Sequence, residues 1–306
     1  MVKLNIDLPE GFLEPEVRGN YTVTRQSKEI WAVLLDLLNE LDKVCKKHGL
    51  KYFVDSGTLL GAVRDKGYIP WDDDIDVVML REDYDKLIEI GDSEFKRPYF
   101  LQTPYNDKGF LRPHIQLRNS ETAAILSNEA LRVPYNQGIF LDIFPVDATS
   151  KSKLFNKMKC KLLNFYRRSF GYVYIYDAPN SFKGFIMGKY ADKCRKAPAK
   201  AYRQFDKWCH FILFKNDLVD KVTFYKFFNK YRYLEKKWFA ETVYLPFEFT
   251  KVPVPAGYHE ILERYYGKDY MVPKQQKAIH QIQGGVINST EESYITVLEK
   301  IRKDKK

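Results

Sequence analysis

No hydrophobic run in this 306-residue chain crosses a bilayer, because every 18-residue window carries at least one charge. The N-terminal stretch "MVKLNIDLPEGFLEPEV" lacks the apolar block of a secretory leader, so a cytoplasmic location is expected. Cysteine is sparse. Cys45, Cys160, Cys194 and Cys209 are scattered without a C-x-x-C pair, which argues against a disulfide framework and against zinc. Cys209 and His210 are adjacent but have no further ligands at metal spacing. Internal repeats and low-complexity tracts are also missing, which excludes solenoids and disordered tails. What remains is a globular composition, 45% apolar with 15% aromatics, enough for one substantial core and a subdomain.

The formal charge of +10 is regional. Between Lys151 and Lys215 there are 16 Lys and Arg against Asp177, Asp192 and Asp206, a net of +13. The rest of the chain is slightly acidic. Within the basic part, "KLFNKMKCKLLNFYRRSF" sets Leu154, Phe155, Met158, Leu162, Phe165 and Tyr166 at helical spacing with lysines between them. That pattern predicts a helix docked by its apolar stripe. The competing reading is a peripheral helix on an anionic membrane surface; no signature of nucleic-acid binding accompanies the charge.

Periodicity and breakers organise the remainder. Residues 28–50 predict a long core helix stopped at Gly49. "KYFVDSG", "IDVVML" and "GIFLDIFPVDA" predict strands, with a helix over "REDYDKLIEI". The fold class is therefore α/β (α+β), a mixed sheet flanked by helices. We divide it into a core over 20–150, a basic helical region over 151–240, and a tail over 241–306 whose strand pair and helix complete the core.

One stretch carries the chemistry. "SGTLLGAVRDKGYIPWDDDIDVVML" (56–80) packs Asp72, Asp73, Asp74 and Asp76 into five positions. Ionised together they repel one another unless a cation or water screens them. Were Asp74 to begin the strand, period two would send Asp74 and Asp76 to one face and Ile75 into the core. Such a pair suits Mg²⁺ or Mn²⁺, with Asp142, lodged between Leu141 and Ile143, as a further carboxylate and Asp72 in support. Upstream, Ser56, Gly57 and Thr58 form a turn whose N–H groups can face an anion, Gly61 allows close approach, and Arg64 offers a forked donor. A phosphate cradle beside a metal site is a phosphoryl-transfer arrangement. A solvated acidic turn, an EF-hand loop and a D-x-D glycosyltransferase compete with it. The EF-hand fails for want of Gly at Val77 and Glu at Asp83.

The stretch "YFVDSGTLLGAVRDKGYIPWDDDIDVVMLREDYDKL" resembles the signature of the LicD family, which includes bacterial phosphocholine transferases and is related to fukutin and fukutin-related protein. The resemblance continues through "LQTPYND", "GIFLDIFPVDA" and "VPVPAGYHEILERYYGKDY". It implies a nucleotidyltransferase-like fold with Gly57 and Thr58 in the phosphate turn and Asp74, Asp76 and Asp142 as catalytic metal carboxylates. It also implies transfer of a phospho-alcohol from a CDP-alcohol donor to a sugar hydroxyl, releasing CMP. Phosphocholine from CDP-choline is the expected group, with ribitol or glycerol phosphate as alternatives and a non-catalytic glycan-assembly protein as the contrasting reading. The acceptor would be a cell-surface glycan, a teichoic acid precursor or a lipid-linked oligosaccharide, met at the inner face of the plasma membrane. Gln116 stands where the resemblance implies a basic residue, which leaves Arg118 as the nearby cation for the donor phosphate. Trp71, Tyr135, Phe140, Tyr265 and Tyr266 are candidates for a choline cage, each more plausible as core, and His114 and His259 are weaker catalytic candidates.

Overall fold

The computed structural model describes residues 1–213, 216–224, 233–274 and 285–304. Its scaffold is the helix α1 (Arg25–His48), which begins where Thr24 Oγ1 accepts from Ser27 N and ends at Gly49 in the left-handed conformation. Trp31, Leu34, Leu37 and Leu41 on its apolar face are almost fully buried against the sheet. Short helices follow: α2 (Ser56–Arg64) and α3 (Arg81–Glu94).

The seven-stranded sheet is organised by one strand. β8 (Ile139–Ala148) runs antiparallel to β6 (Ile115–Asn119) through Ile143, parallel to β4 (Asp76–Leu80) from Asp142 to Val146, and antiparallel to β9 (Leu218–Asp220) at its end. β3 (Phe53–Val54) pairs with β4, β5 (Tyr99–Gln102) with β6, and β10 (Leu234–Glu235) with β9. Centrality explains the sequence of β8: a strand covered on both faces reads as a nearly continuous apolar run, and here only a few polar groups interrupt it. Smaller pairs lie outside this sheet: β1 (Glu16–Arg18) with β2 (Tyr21–Val23), and β7 (Ala123–Leu126) with β13 (Val286–Ser289).

The tail forms the hairpin β11 (Thr242–Phe247) and β12 (Thr250–Pro255), followed by α7 (Tyr258–Tyr266) and later by α8 (Tyr294–Asp304). Phe247, Val252, Val254, Ile261 and Leu262 from this segment belong to the same hydrophobic cluster as α1 and β4. Its turn also braces the acidic loop: Glu248 accepts from Tyr68 N at 2.9 Å and binds the Arg18 guanidinium.

The basic region folds as α4 (Lys153–Tyr174), α5 (Phe182–Lys196) and α6 (Pro198–His210), with its own core of Leu163, Phe170, Val173, Ala191 and Phe205. Two expectations change here. The stretch to 240 is not helical throughout, since β9 and β10 join the main sheet. Nor is the apolar stripe of α4 wholly its docked face: Leu154 and Met158 are 70% and 63% exposed, whereas Lys159 is buried. The reason is electrostatic. The Lys159 ammonium donates to the carbonyls of Cys209 and Phe211, at 2.7 and 3.0 Å, where α6 ends with unsatisfied acceptors.

Candidate active site

The register of the sheet sets the site. Asp76 on β4 lies directly opposite Asp142 on β8, and Asp142 lies opposite Gln116 on β6, which in turn lies opposite Gln102 on β5. Directly paired residues project to the same face about 5 Å apart. The result is a polar row across four strands whose end carries two carboxylates. The strand starts at Asp76 rather than Asp74, so the period-two argument does not apply to that pair. Asp74 instead approaches from the preceding loop, where its charge still acts on Asp76 and on Asp72.

The loop is held above the row by the core. Trp31 Nε1 donates to Asp72 O at 2.8 Å, and the Trp31 ring stacks on Tyr68 with centroids 4.4 Å apart. The Asp72 carboxylate rests against Gly57: a Cβ there would stand 2.7 Å from Asp72 Oδ2, so any larger residue would displace it. Gly61 plays a different part from the one expected, because a Cβ on it would meet Gly67 O at 2.3 Å. Its close approach is to the chain itself.

The first turn of α2 faces this cluster. Thr58 Oγ1 accepts from Asp76 N at 2.9 Å and ties the turn to the start of β4. Asp55 precedes the helix but makes no side-chain cap, because its carboxylate is turned to Ser56 Oγ and to Lys221 Nζ. The usual capping acceptor is thus withdrawn and the first-turn N–H groups keep their capacity for an anion. Ser56 adopts φ 51°, a left-handed conformation that costs a non-glycine residue about 1 kcal/mol. Arg64 lies at the other end of α2, about 12 Å along the axis, paired with Asp65 at 2.9 Å, and its charge acts on Asp72.

Arg118 is 2% exposed and does not reach the carboxylates itself. It donates to Gly138 O, to Gln102 Oε1 and to Gln116 Oε1, and Gln116 Nε2 donates to Asp142 Oδ1 at 2.6 Å. Since a guanidinium only donates, it fixes the glutamine amide with its nitrogen toward Asp142. The cation acts through a relay.

Two more residues complete the site. Lys221, between β9 and the 3-10 turn Val222–Phe224, is 4% exposed; its ammonium sits between Asp55 and Ser56 and 5.2 Å from the rings of Phe144 and Tyr265. His114 places Nε2 2.9 Å from Asp142 Oδ1. Nothing in the sequence around Lys221 signals its role, because 166 residues separate it from Asp55.

Charge crowding shifts these groups in opposite directions. Burial, then the charges of Asp74 and Asp142, push Asp76 well above its ordinary value, against the pull of Lys221. Burial and the neighbouring Asp74 and Asp73 raise Asp72 to about 8. For Asp142 burial also acts upward, but His114, the Gln116 hydrogen bond and Arg112 outweigh it and hold the carboxyl low. Burial, together with Arg112 and Arg167, lowers His114 despite the opposing pull of Asp142.

Among the described residues, the one trio of ligand atoms within 4.8 Å of one another is elsewhere, at Asp85, Asp206 and His210. There Arg81 already binds both carboxylates, at 3.2 and 3.0 Å, which identifies an ion-pair network. Asp72, Asp74, Asp76 and Asp142 fit a divalent ion on other grounds: hard oxygen donors, and mutual repulsion that raises Asp76 and Asp72 and that a cation would relieve. The cage candidates are dispersed. Phe140 lies under Arg118, Tyr135 bonds Glu129, Trp71 packs edge-on to Tyr21, and Tyr266 is exposed. His259 meets the Tyr270 hydroxyl in the tail, 2.5 Å away.

Residues 49–177, which contain the row, the turn and the acidic loop, match the model of the LicD/FKTN/FKRP nucleotidyltransferase domain. The chain is also 27% identical over 275 residues to the lipopolysaccharide cholinephosphotransferase LicD of Haemophilus influenzae, covering 85% of this chain and 97% of that protein. Shorter similarities, 44% over 57 residues and 46% over 50, join it to uncharacterized proteins of Rickettsia prowazekii and Rickettsia typhi. The LicD-family match stops at residue 177, so Lys221 and the tail lie beyond it.

Proposed function

We propose that this protein is a metal-dependent phosphotransferase that moves phosphocholine from CDP-choline to a sugar hydroxyl of a surface glycan and releases CMP. The observation that supports it most is the pairing of Asp76 with Asp142 beside the uncapped first turn of α2. In this reading the Gly57 and Thr58 N–H groups bind the diphosphate of the donor, and Thr58 keeps Asp76 in register with it. Asp72, Asp74, Asp76 and Asp142 would hold Mg²⁺ or Mn²⁺, which when bound offsets charge on the diphosphate. Asp142, ionised and oriented by Gln116, suits a ligand better than a proton acceptor, because a carboxyl held low is a weak base. Lys221 neutralises Asp55 and so keeps the turn open.

The acceptor oxygen forms a bond to the phosphorus that carries choline, the bond from that phosphorus to the oxygen of CMP breaks, and the hydroxyl proton leaves to solvent. Among the described residues no helix is long and apolar enough to cross a membrane. The exposed Phe182 and Phe185, set among Lys183 and Lys189 on α5, would instead provide a peripheral contact with an anionic bilayer.

The test is CMP release from CDP-choline, CDP-ribitol, CDP-glycerol and CDP-ethanolamine with Mg²⁺, alongside thermal shifts for each donor. CDP-choline should give the largest shift, and Asp76→Asn should lower turnover by roughly 10³-fold with the circular dichroism unchanged. Absence of both CMP release and a thermal shift for all four donors would remove the donor class.

A further inference from the structure

A cleft of about 710 Å³ lies between the core and the second half of α4, and its lining includes His114, the neighbour of Asp142. The His114 ring is 5% exposed, its Nε2 stands 2.9 Å from Asp142 without hydrogen-bond alignment, and its Nδ1 has no partner among the described residues, although the residue lines the cleft. A molecule in the cleft therefore lies within one side chain of Asp142 while leaving the turn of α2 free for the donor.

The lining states what would fit. Tyr172 and Tyr174 provide aromatic faces, and Asn128 and Asn164 provide amides, the mixture that suits the apolar face and the hydroxyl rim of a sugar. Arg112, Arg167 and Arg168 bring three positive charges. Glu129 is the acidic residue of the lining, and it is already engaged by Arg112 and by the Tyr135 hydroxyl. The surplus is cationic, which disfavours a choline head group and favours an anion. Arg167 is held over the Phe224 ring at 5.2 Å, so its guanidinium is fixed in place.

We propose that this cleft is the acceptor subsite, and that it takes a saccharide bearing a phosphate or carboxylate, its ring against Tyr172 and Tyr174 and its anionic group on Arg167 and Arg168. The assignment rests on the phosphotransferase reading above and extends it to the second substrate.

Calorimetric titration of the purified full chain tests it with N-acetylglucosamine 1-phosphate, N-acetylglucosamine, glucuronic acid and inorganic phosphate as probes. The sugar phosphate or the uronic acid should bind at least tenfold more tightly than the neutral sugar or phosphate alone, and which of the two binds identifies the anion. Arg168 is exposed, so Arg168→Ala should fold; it should weaken the charged probe at least fivefold, with Arg168→Lys recovering most of the loss. Equal affinity in wild type and Arg168→Ala, or displacement of the probe by CMP, would overturn the assignment. CDP-choline titrated on the same samples separates the readings: loss of donor binding with probe binding intact sinks the carboxylate site, and the converse sinks only the cleft.

Discussion

The carboxylate site and the helical unit handle charge in opposite ways. At the site, Asp55, Asp142 and Arg118 are each fixed by named partners, and strand register puts the carboxylates of Asp76 and Asp142 side by side. In the helical unit the lysines of α4 and α5 mostly face outward, beside exposed Leu154, Met158, Phe182 and Phe185. Chemistry needs positions that do not wander, whereas a solvated face needs only the right composition. The two regions are joined by Arg81, whose guanidinium grips Asp147 of β8 at 2.7 and 2.9 Å and Asp206 of α6 at 3.0 Å.

That clamp yields the largest stability effect we expect. Asp147 is almost fully buried, so Arg81→Ala leaves a carboxylate without its counter-charge at a cost of about 3 to 5 kcal/mol. Helices α4 to α6 should then lose hydrogen-exchange protection before the sheet does. A variant that melts within about 1 °C of wild type, or whose sheet opens first, contradicts the separation of the two regions.

Much of this comparison was legible beforehand because local signals sufficed. The αL glycine after α1, the apolar run of β8 and the tight spacing of Asp72 to Asp76 each act within a few residues. Their mutual placement did not come from spacing. Asp76 meets Asp142 because β8 runs parallel to β4, a contact that depends on the whole crossover between them. The placement of Lys221, His114 and Gln116 was illegible for the same reason: each meets its carboxylate partner far along the chain. The α4 stripe misled because a buried lysine satisfying helix-end carbonyls outweighed the apolar pattern.

A smaller effect sharpens the contrast through pH. Asp72, raised to about 8, keeps in the folded state a proton that the unfolded chain releases near pH 4. The folded form therefore binds more protons across that window, and stability falls as pH rises from about 4 to 8. Because the group is partly exposed, the screened cost is about 1 kcal/mol at pH 8. Asp72→Asn should recover it as a Tm gain of ~2 °C in chelator at pH 8, with no gain at pH 4. Mg²⁺ should stabilise wild type more than the variant. A gain of equal size at both pH values would show that the loop carries no such strain.

The smallest effect falls on the other region and reads only where the molecule goes. Phe182 and Phe185 are 81% and 62% exposed, so Phe182→Asp with Phe185→Asp removes no core contact and should leave the melting temperature within about 1 °C. If α5 rests on a bilayer, each phenyl ring contributes hydrophobic insertion and each new carboxylate meets repulsion from anionic lipid. Co-sedimentation with phosphatidylserine vesicles should fall about tenfold, while CMP release from soluble CDP-choline stays at the wild-type rate. Undiminished vesicle binding would return these lysines and aromatics to the status of a solvated face, and the two regions would then differ in order but not in task.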